Sequence, residues 1–456
     1  MKRTIPCILG AAAGLAALLP AQDIIEKVVG GTRPVLAVPD FRGAGEAAPH
    51  MSVFNATLYA DLDNSGLFKM AAKSMFPLEV PQRPEDFRPP LAPPTAKKGA
   101  AAQPVRQGPW LTDWSQPPVG ASHLAFGYAA TQGDQLVLSG WLYDVSQPNV
   151  SSAQLIGKRY LGPVSAAGAK TVAHEFAADI IKQFGGETLL NSKIYFISDR
   201  TGSKEVWSMD PDGSSQKQFT SYKSTCTTPA VSLDGTKIAF TTYARGIPGI
   251  FIHSLETGRR LPFVNPQATI TYSPGFTPDG QKLLYSSSLS GYAQLYIGNP
   301  DGSQSQRITQ TRAVETEPKV SPKGGSIVFV SGRSGTPQVY MMGMDGSSAE
   351  RLTSGEGDAT NPSWHPNGQL IAFAWSRGFE PGKFNVFLMD VASRRYDQLT
   401  HGEGKNENPV WAPDGRHIVF QSNRSGRSQI WTMLADGTKV QQLTTQGSNT
   451  MPVWAK

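Results

Sequence analysis

A chain of 456 residues with 46 Gly, 35 Pro and 17% charged side chains is rich in turns, and this suits a β architecture better than a helical one. Its 39% hydrophobic content is ample for a large core, and its length fits roughly two or three domains. The 42 basic residues are scattered among 36 acidic ones, without the clustered cationic face that nucleic acid requires.

The first 21 residues read as a secretory signal. Lys2-Arg3 precedes an apolar run from Ile5 to Leu19, and Leu19-Pro20-Ala21 before Gln22 fits a cleavage site. A retained membrane anchor is the alternative, but the run is short for a span. Removing Lys2 and Arg3 leaves 40 basic against 36 acidic residues, a net charge of +4. Cleavage also removes Cys7, so Cys226 has no partner for an internal disulfide and is expected to pack as a small hydrophobe. No later stretch reaches about 18 uninterrupted apolar residues, so a soluble exported protein is expected.

Residues 22–187 read as an α/β domain. Pro34–Val38 is an apolar run suited to a buried strand. Val53, Leu58 and Leu62 have helical spacing, and Asn64-Ser65-Gly66 ends that helix. A second short helical stretch is expected from Leu67 to about Met75. Residues 77–109 contain Arg88-Pro89-Pro90 and Ala92-Pro93-Pro94 and are expected to form an exposed, mostly disordered insertion. Residues 121–130 and 135–143 form a hairpin around Gly133-Asp134, and 154–160 add a strand. In 169–184, Val172, Phe176, Ile180 and Phe184 make one helical stripe, ended by Gly185-Gly186. The order strand–helix–three strands–helix predicts helices packed on one sheet face.

From Lys193 the period changes. Turns ending at Gly235, Gly280, Gly324, Gly368 and Gly415 recur every 45, 44, 44 and 47 residues. Each is followed by a strand (KIAFTT, KLLYSS, SIVFVS, LIAFAW, HIVFQS), a second strand, and a third segment. In four units that segment ends in Leu/Ile-Thr, at Thr309, Thr353, Thr400 and Thr444. Residues 193–220 lack the first strand of this unit, and Met451–Trp454 is a first strand with nothing after it. The two fragments complement each other, as ring closure requires. Residues 188–456 are therefore expected to form a six-bladed β-propeller closed by the C-terminal strand.

Catalytic signatures are missing from the sequence. No G-x-S-x-G occurs, and His174-Glu175 is followed by Ala178 where a zinc motif needs a second His. Asp210-Pro211-Asp212-Gly213 and Asn299-Pro300-Asp301-Gly302 fall where hairpin turns belong, without the spacing of calcium loops. Arg200, Arg333, Arg377 and Arg424 recur at the turn after each second strand, either bonding turn carbonyls or forming a basic ring. Ahead of the first strands stand Thr228-Pro229, Ser273-Pro274, Thr316-Glu317-Pro318, Thr360-Asn361-Pro362 and Glu407-Asn408-Pro409. These connections gather around one channel opening as a polar funnel, which either caps the strands or binds a partner. Without a convergent nucleophile, base or metal set, binding is favoured over catalysis.

The combination of RPVLAVPDF (33–41), DLDNSGLF (61–68), Trp114, Leu142-Tyr143-Asp144, AHEFAADI (173–180) and NSKIYFISDR (191–200) with this repeat resembles the TolB family of the Tol-Pal system. The resemblance implies a periplasmic, monomeric, non-enzymatic scaffold without cofactor or metal, serving outer-membrane integrity and constriction at division. It implies binding of a Pal-like outer-membrane lipoprotein over the propeller opening, at Ile270, Ser273, Thr316, Glu317, Thr360, Asn361, Glu407 and Asn408. It implies binding of a TolA-like inner-membrane protein by Asp23, Ile24, Ile25 and Glu26. The chain departs from the family in the length of the 77–109 stretch, and its mature start matches only in hydrophobic alternation. A secreted propeller hydrolase and a surface propeller binding peptide or sugar are the alternatives.

Overall fold

The structure, a computed structural model, describes residues 31–88, 108–147, 149–266, 269–378 and 383–456. The expected signal, Asp23–Glu26 and the centre of the Pro/Ala-rich stretch lie outside the described residues. Among those described, no helix is long and apolar enough to cross a membrane.

The first domain contains β1 (Val35–Ala37), β2 (Arg42–Gly43), α1 (Met51–Asn64), β3 (Lys69–Met70), β4 (His123–Gln132), β5 (Gln135–Asp144), β6 (Gln154–Pro163) and α2 (Ala166–Gln183). The sheet order is β3-β1-β4-β5-β6, with β2 beside β4. β1 is parallel to both neighbours, whereas β4, β5 and β6 form an antiparallel meander. Alternation along β4 sends Ala125 and Ala129 toward the helices and Leu124 and Phe126 to the opposite face. On the helical side Phe41 packs against Phe54 of α1 and Phe176 of α2. His174 of α2 bonds Asp61 of α1 at 2.6 Å; burial works against its protonation, but Asp61 outweighs this and raises its pKa.

Two expectations are corrected here. The segment after Gly66 is not helical: Lys69 and Ala71 donate to the carbonyls of Pro34 and Leu36, so tertiary pairing makes it strand β3, followed by a single turn at Lys73–Met75. The Pro/Ala-rich stretch is ordered at its start. Pro84–Asp86 forms a 3-10 turn with Pro at its first position, and buried Phe87 meets Phe126 edge-on. The second sheet face is apolar and needs a cover, which Phe87, Leu111 and Trp114 provide.

The second domain is a ring of six four-stranded blades. The innermost strands, A, are Cys226–Val231, Thr271–Phe276, Glu315–Val320, Ala359–Trp364, Asn406–Trp411 and Asn449–Ala455. The last pairs antiparallel with Lys193–Ser198, so one blade joins the two ends of the domain. We number this blade 1 and the others 2 to 6 along the chain, with strands A to D from the channel outward. Each blade pairs an aromatic residue on strand B with one on strand C: Phe196 with Trp207, Phe240 with Phe251, Tyr285 with Tyr296, Phe329 with Tyr340, Phe373 with Phe387, Phe420 with Trp431. All six strand B members are fully buried, and each supplies about 2–3 kcal/mol of apolar burial.

The recurring Thr at the end of strand D now has a reason. The hydroxyls of Thr220, Thr309, Thr353, Thr400 and Thr444 accept the strand C N–H of Val206, Leu295, Val339, Val386 and Ile430 at 2.9–3.0 Å. In blade 2 the Asn265 carboxamide does this for Ile250. The recurring Arg is structural too. Arg200, Arg333 and Arg424 each lie over the aromatic pair of their blade and donate to Ser198, Ser331 or Ser422. They also reach the first residue of strand A, at Asn449, Glu315 and Asn406. Cys226 is buried, and burial pushes its thiol up to about 11, far from a reactive thiolate.

The first domain docks on the A–B and C–D turns of blades 6 and 1. Arg416 donates to the carbonyls of Ser65 and Glu187, and His417 Nε2 lies 2.8 Å from the Asn64 carbonyl oxygen. Lys439 pairs with Asp63, and Lys170 with Asp212. His417 is oriented by buried Asp414 at 2.6 Å. Burial alone would raise the Asp414 carboxyl, but His417 and Arg416 outweigh it and hold it down at about 2.

Two outcomes are expected. Thr444→Val leaves the buried Ile430 N–H without its side-chain acceptor and removes one of the two donors to Gln429 Oε1, so urea denaturation should show a loss of about 1–3 kcal/mol. Thr438→Val, on an exposed turn, should stay within about 0.5 kcal/mol. Because the folded Asp414 pKa is depressed, its contribution is complete above about pH 4 and fades as pH falls toward 2. Asp414→Asn should therefore cost about 2 kcal/mol at pH 7, and calorimetry should find the loss shrinking toward pH 2.

Candidate functional site

The face opposite the docked domain carries the D–A connections and the B–C turns. Here every strand A has a register break, and in every one the residue before its Pro lies in the left-handed region. These are Thr228, Ser273, Glu317, Asn361, Asn408 and Met451, with φ between 43° and 55°. Each such conformation costs about 1 kcal/mol for a residue other than Gly, so the ring recovers that cost through its contacts.

The contacts run around the channel from blade to blade. Thr228 N donates to Met451 Sδ at 3.3 Å, Ser273 N to Thr241 Oγ1 at 3.2 Å, and Asn361 N to Glu317 Oε2 at 2.6 Å. Asn408 N donates to Asn361 Oδ1 at 3.3 Å, and Met451 N to Gln421 Oε1 at 2.9 Å. Between blades 3 and 4, Thr316 Oγ1 donates to Ser273 Oγ at 3.3 Å. All six blade interfaces are thus joined at the channel by a side chain whose identity differs from blade to blade.

Within this ring is a cavity of about 370 Å³, bounded by Ser273, Glu317, Thr360, Asn361, Glu407 and Asn408 together with Lys319, Phe384 and Met451. Six of the eight sequence-derived positions on this face therefore meet in one space. Thr316 stands behind them on Ser273. Ile270 is outside the cavity and 47% exposed. Asp23, Ile24, Ile25 and Glu26 lie outside the described residues.

Burial in the channel wall pushes the Glu317 carboxyl up, opposed by the Asn361 donors and the Lys319 ammonium. Burial pushes Lys319 down, opposed by Glu317. Glu407 accepts from Gln421 at 3.0 Å and pairs with Lys405 at 2.9 Å. Among the described residues no group of three or more His, Cys, Asp or Glu side chains converges as a metal site would require.

Beside the mouth lies an apolar crescent. Tyr243, Ile247, Ile270, Leu289, Tyr292 and Val314 are each 44–54% exposed, on the B–C turns and D–A connections of blades 2, 3 and 4. Backbone bonds hold these loops together: Thr271 N donates to the Pro248 carbonyl, and Ser288 N to that of Ile270. Sequence reasoning missed this patch because its members belong to different repeats. It also missed Lys319, although a signal existed: the residues after the six prolines are Ala230, Gly275, Lys319, Ser363, Val410 and Val453, and only one is charged.

A closed six-bladed propeller, with an α/β domain on one face and a polar channel open on the other, defines a two-domain propeller protein with one free face. Residues 182–379 and 354–456 match the family model described as TolB beta propeller domain, and the chain belongs to the TolB family. A Protein TolB homolog from Chlorobium luteolum is 33% identical over 201 residues, 44% of each chain, so this match spans less than half of either protein. A Tol-Pal system protein TolB from Anaeromyxobacter dehalogenans is 31% identical over 314 residues, 68% of this chain and 65% of the relative. The crystal structure of TolB from Acinetobacter baumannii superposes with a TM-score of 0.74 at 21% identity, covering 93% of this chain and 97% of that one, which speaks for the fold of both domains.

Proposed function

We propose that this chain is a non-enzymatic periplasmic scaffold of the Tol-Pal system. It binds a Pal-like outer-membrane lipoprotein over the open propeller face and a TolA-like inner-membrane protein through Asp23, Ile24, Ile25 and Glu26 at its mature start. In this reading the signal is removed on export, the protein works as a monomer, and it meets the outer membrane through its partners.

The observation that carries the reading is the apolar crescent on blades 2 to 4 beside the channel mouth. Six large exposed hydrophobics on neighbouring loops, rimmed by polar groups, are what a protein-binding face presents. The crescent lies on the face left free by the docked first domain, in a member of the TolB family. Ile270, with Ser273 and Thr316 behind it, joins the crescent to the channel. Ile270 and Tyr292 are the expected anchors, being large and half exposed without a packing role of their own.

Titration calorimetry with the soluble domain of the Pal homologue from the same genome tests this. Ile270→Asp and Tyr292→Asp are each expected to weaken binding by about thirtyfold while leaving the melting temperature unchanged. Wild-type protein that fails to bind at tens of micromolar, with or without its N-terminal segment, would overturn the Pal assignment.

A further inference from the structure

The charges in the channel are not equally satisfied. Glu317 takes its bonds from the backbone N–H and carboxamide of Asn361. Glu407 takes its bonds from Gln421 and Lys405. Lys319 also lines the cavity, where it is attracted by Glu317 without a hydrogen bond or close ion pair to it among the described residues. The Asn408 carboxamide is likewise uncommitted, since only the backbone N–H of that residue is bonded. A cation and an amide donor thus share a small space in which the nearest carboxylate, Glu317, attracts Lys319 but takes its hydrogen bonds from Asn361.

The place of Lys319 in the repeat explains how it arrives there. It follows Pro318 in strand A, where blades 6 and 1 have Val410 and Val453 lining the same cavity. Its stem replaces those apolar side chains, and its head extends into the channel. The strand is fixed from outside, because Trp364 Nε1 donates to the Lys319 carbonyl at 3.0 Å. A partly dehydrated ammonium without an acceptor is unfavourable, and a carboxylate supplies the missing bond at short range. Pro274, Pro362, Val410 and Met451 in the wall keep the dielectric low around it.

We propose that the channel mouth is a carboxylate socket, in which Lys319 and Asn408 receive an acidic side chain or terminal carboxylate of the protein docked on this face. The identity of the docked protein rests on the preceding reading; the socket itself does not. Glu317 and Glu407 repel an incoming anion, so a free carboxylate binds weakly. Docking over the crescent supplies the effective concentration that a free anion lacks. The cavity has room for one side chain, not for a folded element.

Lys319→Met and Lys319→Arg test the socket in the full-length mature protein, with melting temperature as a check on folding. Two probes separate the sources of the carboxylate: glutarate, followed by NMR at millimolar concentration, and the soluble Pal-homologue domain, followed by calorimetry. The socket predicts that Lys319→Met abolishes glutarate shifts and weakens the protein partner by about thirtyfold, while Lys319→Arg retains both. Glutarate binding that depends on Lys319, with no affinity for the Pal-homologue domain, keeps the socket and overturns the partner. Equal partner affinity in wild type and Lys319→Met overturns the partner's carboxylate, and unchanged glutarate shifts in Lys319→Met overturn the socket.

Discussion

An apolar sheet face cannot be left in water, and the propeller follows from that constraint. Five blades are built from consecutive chain, but a row of five would expose the apolar outer face of the blade at each end. Pairing of Asn449–Ala455 with Lys193–Ser198 completes a sixth sheet, which packs Phe196 and Met209 against Val419 and Ile430 on one side and Ile197 and Val206 against Ile238 and Phe240 on the other. The same pairing ties the C-terminal strand to the entrance of the domain. Trp454 then donates to Ser192 at 2.9 Å, and Lys456 reaches Glu187 in the segment between the domains. The strand that closes the ring thus also contacts the segment that leads in from the first domain.

Closure gives the molecule two unlike faces. On one, the A–B turn of blade 6 departs from its counterparts: Asp414 and His417 are buried beside a half-buried Arg416, and Arg416 and His417 bond the first domain. In blades 2 and 3 the equivalent Asp234 and Asp279 only fold their own turns. One turn in the ring is thus converted from punctuation into a domain junction. That occupies the A–B and C–D side of blades 6 and 1 and leaves the opposite side open.

On the open side the repeat is regular in backbone and irregular in side chain. The same left-handed residue before Pro occurs in every blade, yet it is Thr, Ser, Glu, Asn, Asn or Met. All but Glu317 donate their N–H to a side chain of the blade before, and Thr316 makes that link in place of Glu317, so the ring is continuous while its chemistry changes around the channel. Arg200, Arg333 and Arg424 are spent on holding strands A, B and C together. The side chains that remain free to vary on this face are therefore those of the channel and the apolar crescent.

The sequence by itself determined the architecture. Period-two strands, turns every 44 to 47 residues and two complementary fragments are local patterns, and edge pairing leaves them one closed arrangement. It also determined which residues gather at the channel, since the D–A connections of a ring have only one place to go. What it did not determine depends on contacts between distant segments. Strand β3 exists because Pro34 and Leu36 offer carbonyls across the sheet, and Phe87 is ordered because Phe126 needs covering. Nothing local marks Tyr243, Ile270, Tyr292 and Val314 as neighbours, because three blades must first stand side by side. Lys319 was visible as an odd residue in its repeat, but only the closed channel sets its ammonium beside Glu317 in a small, partly apolar space.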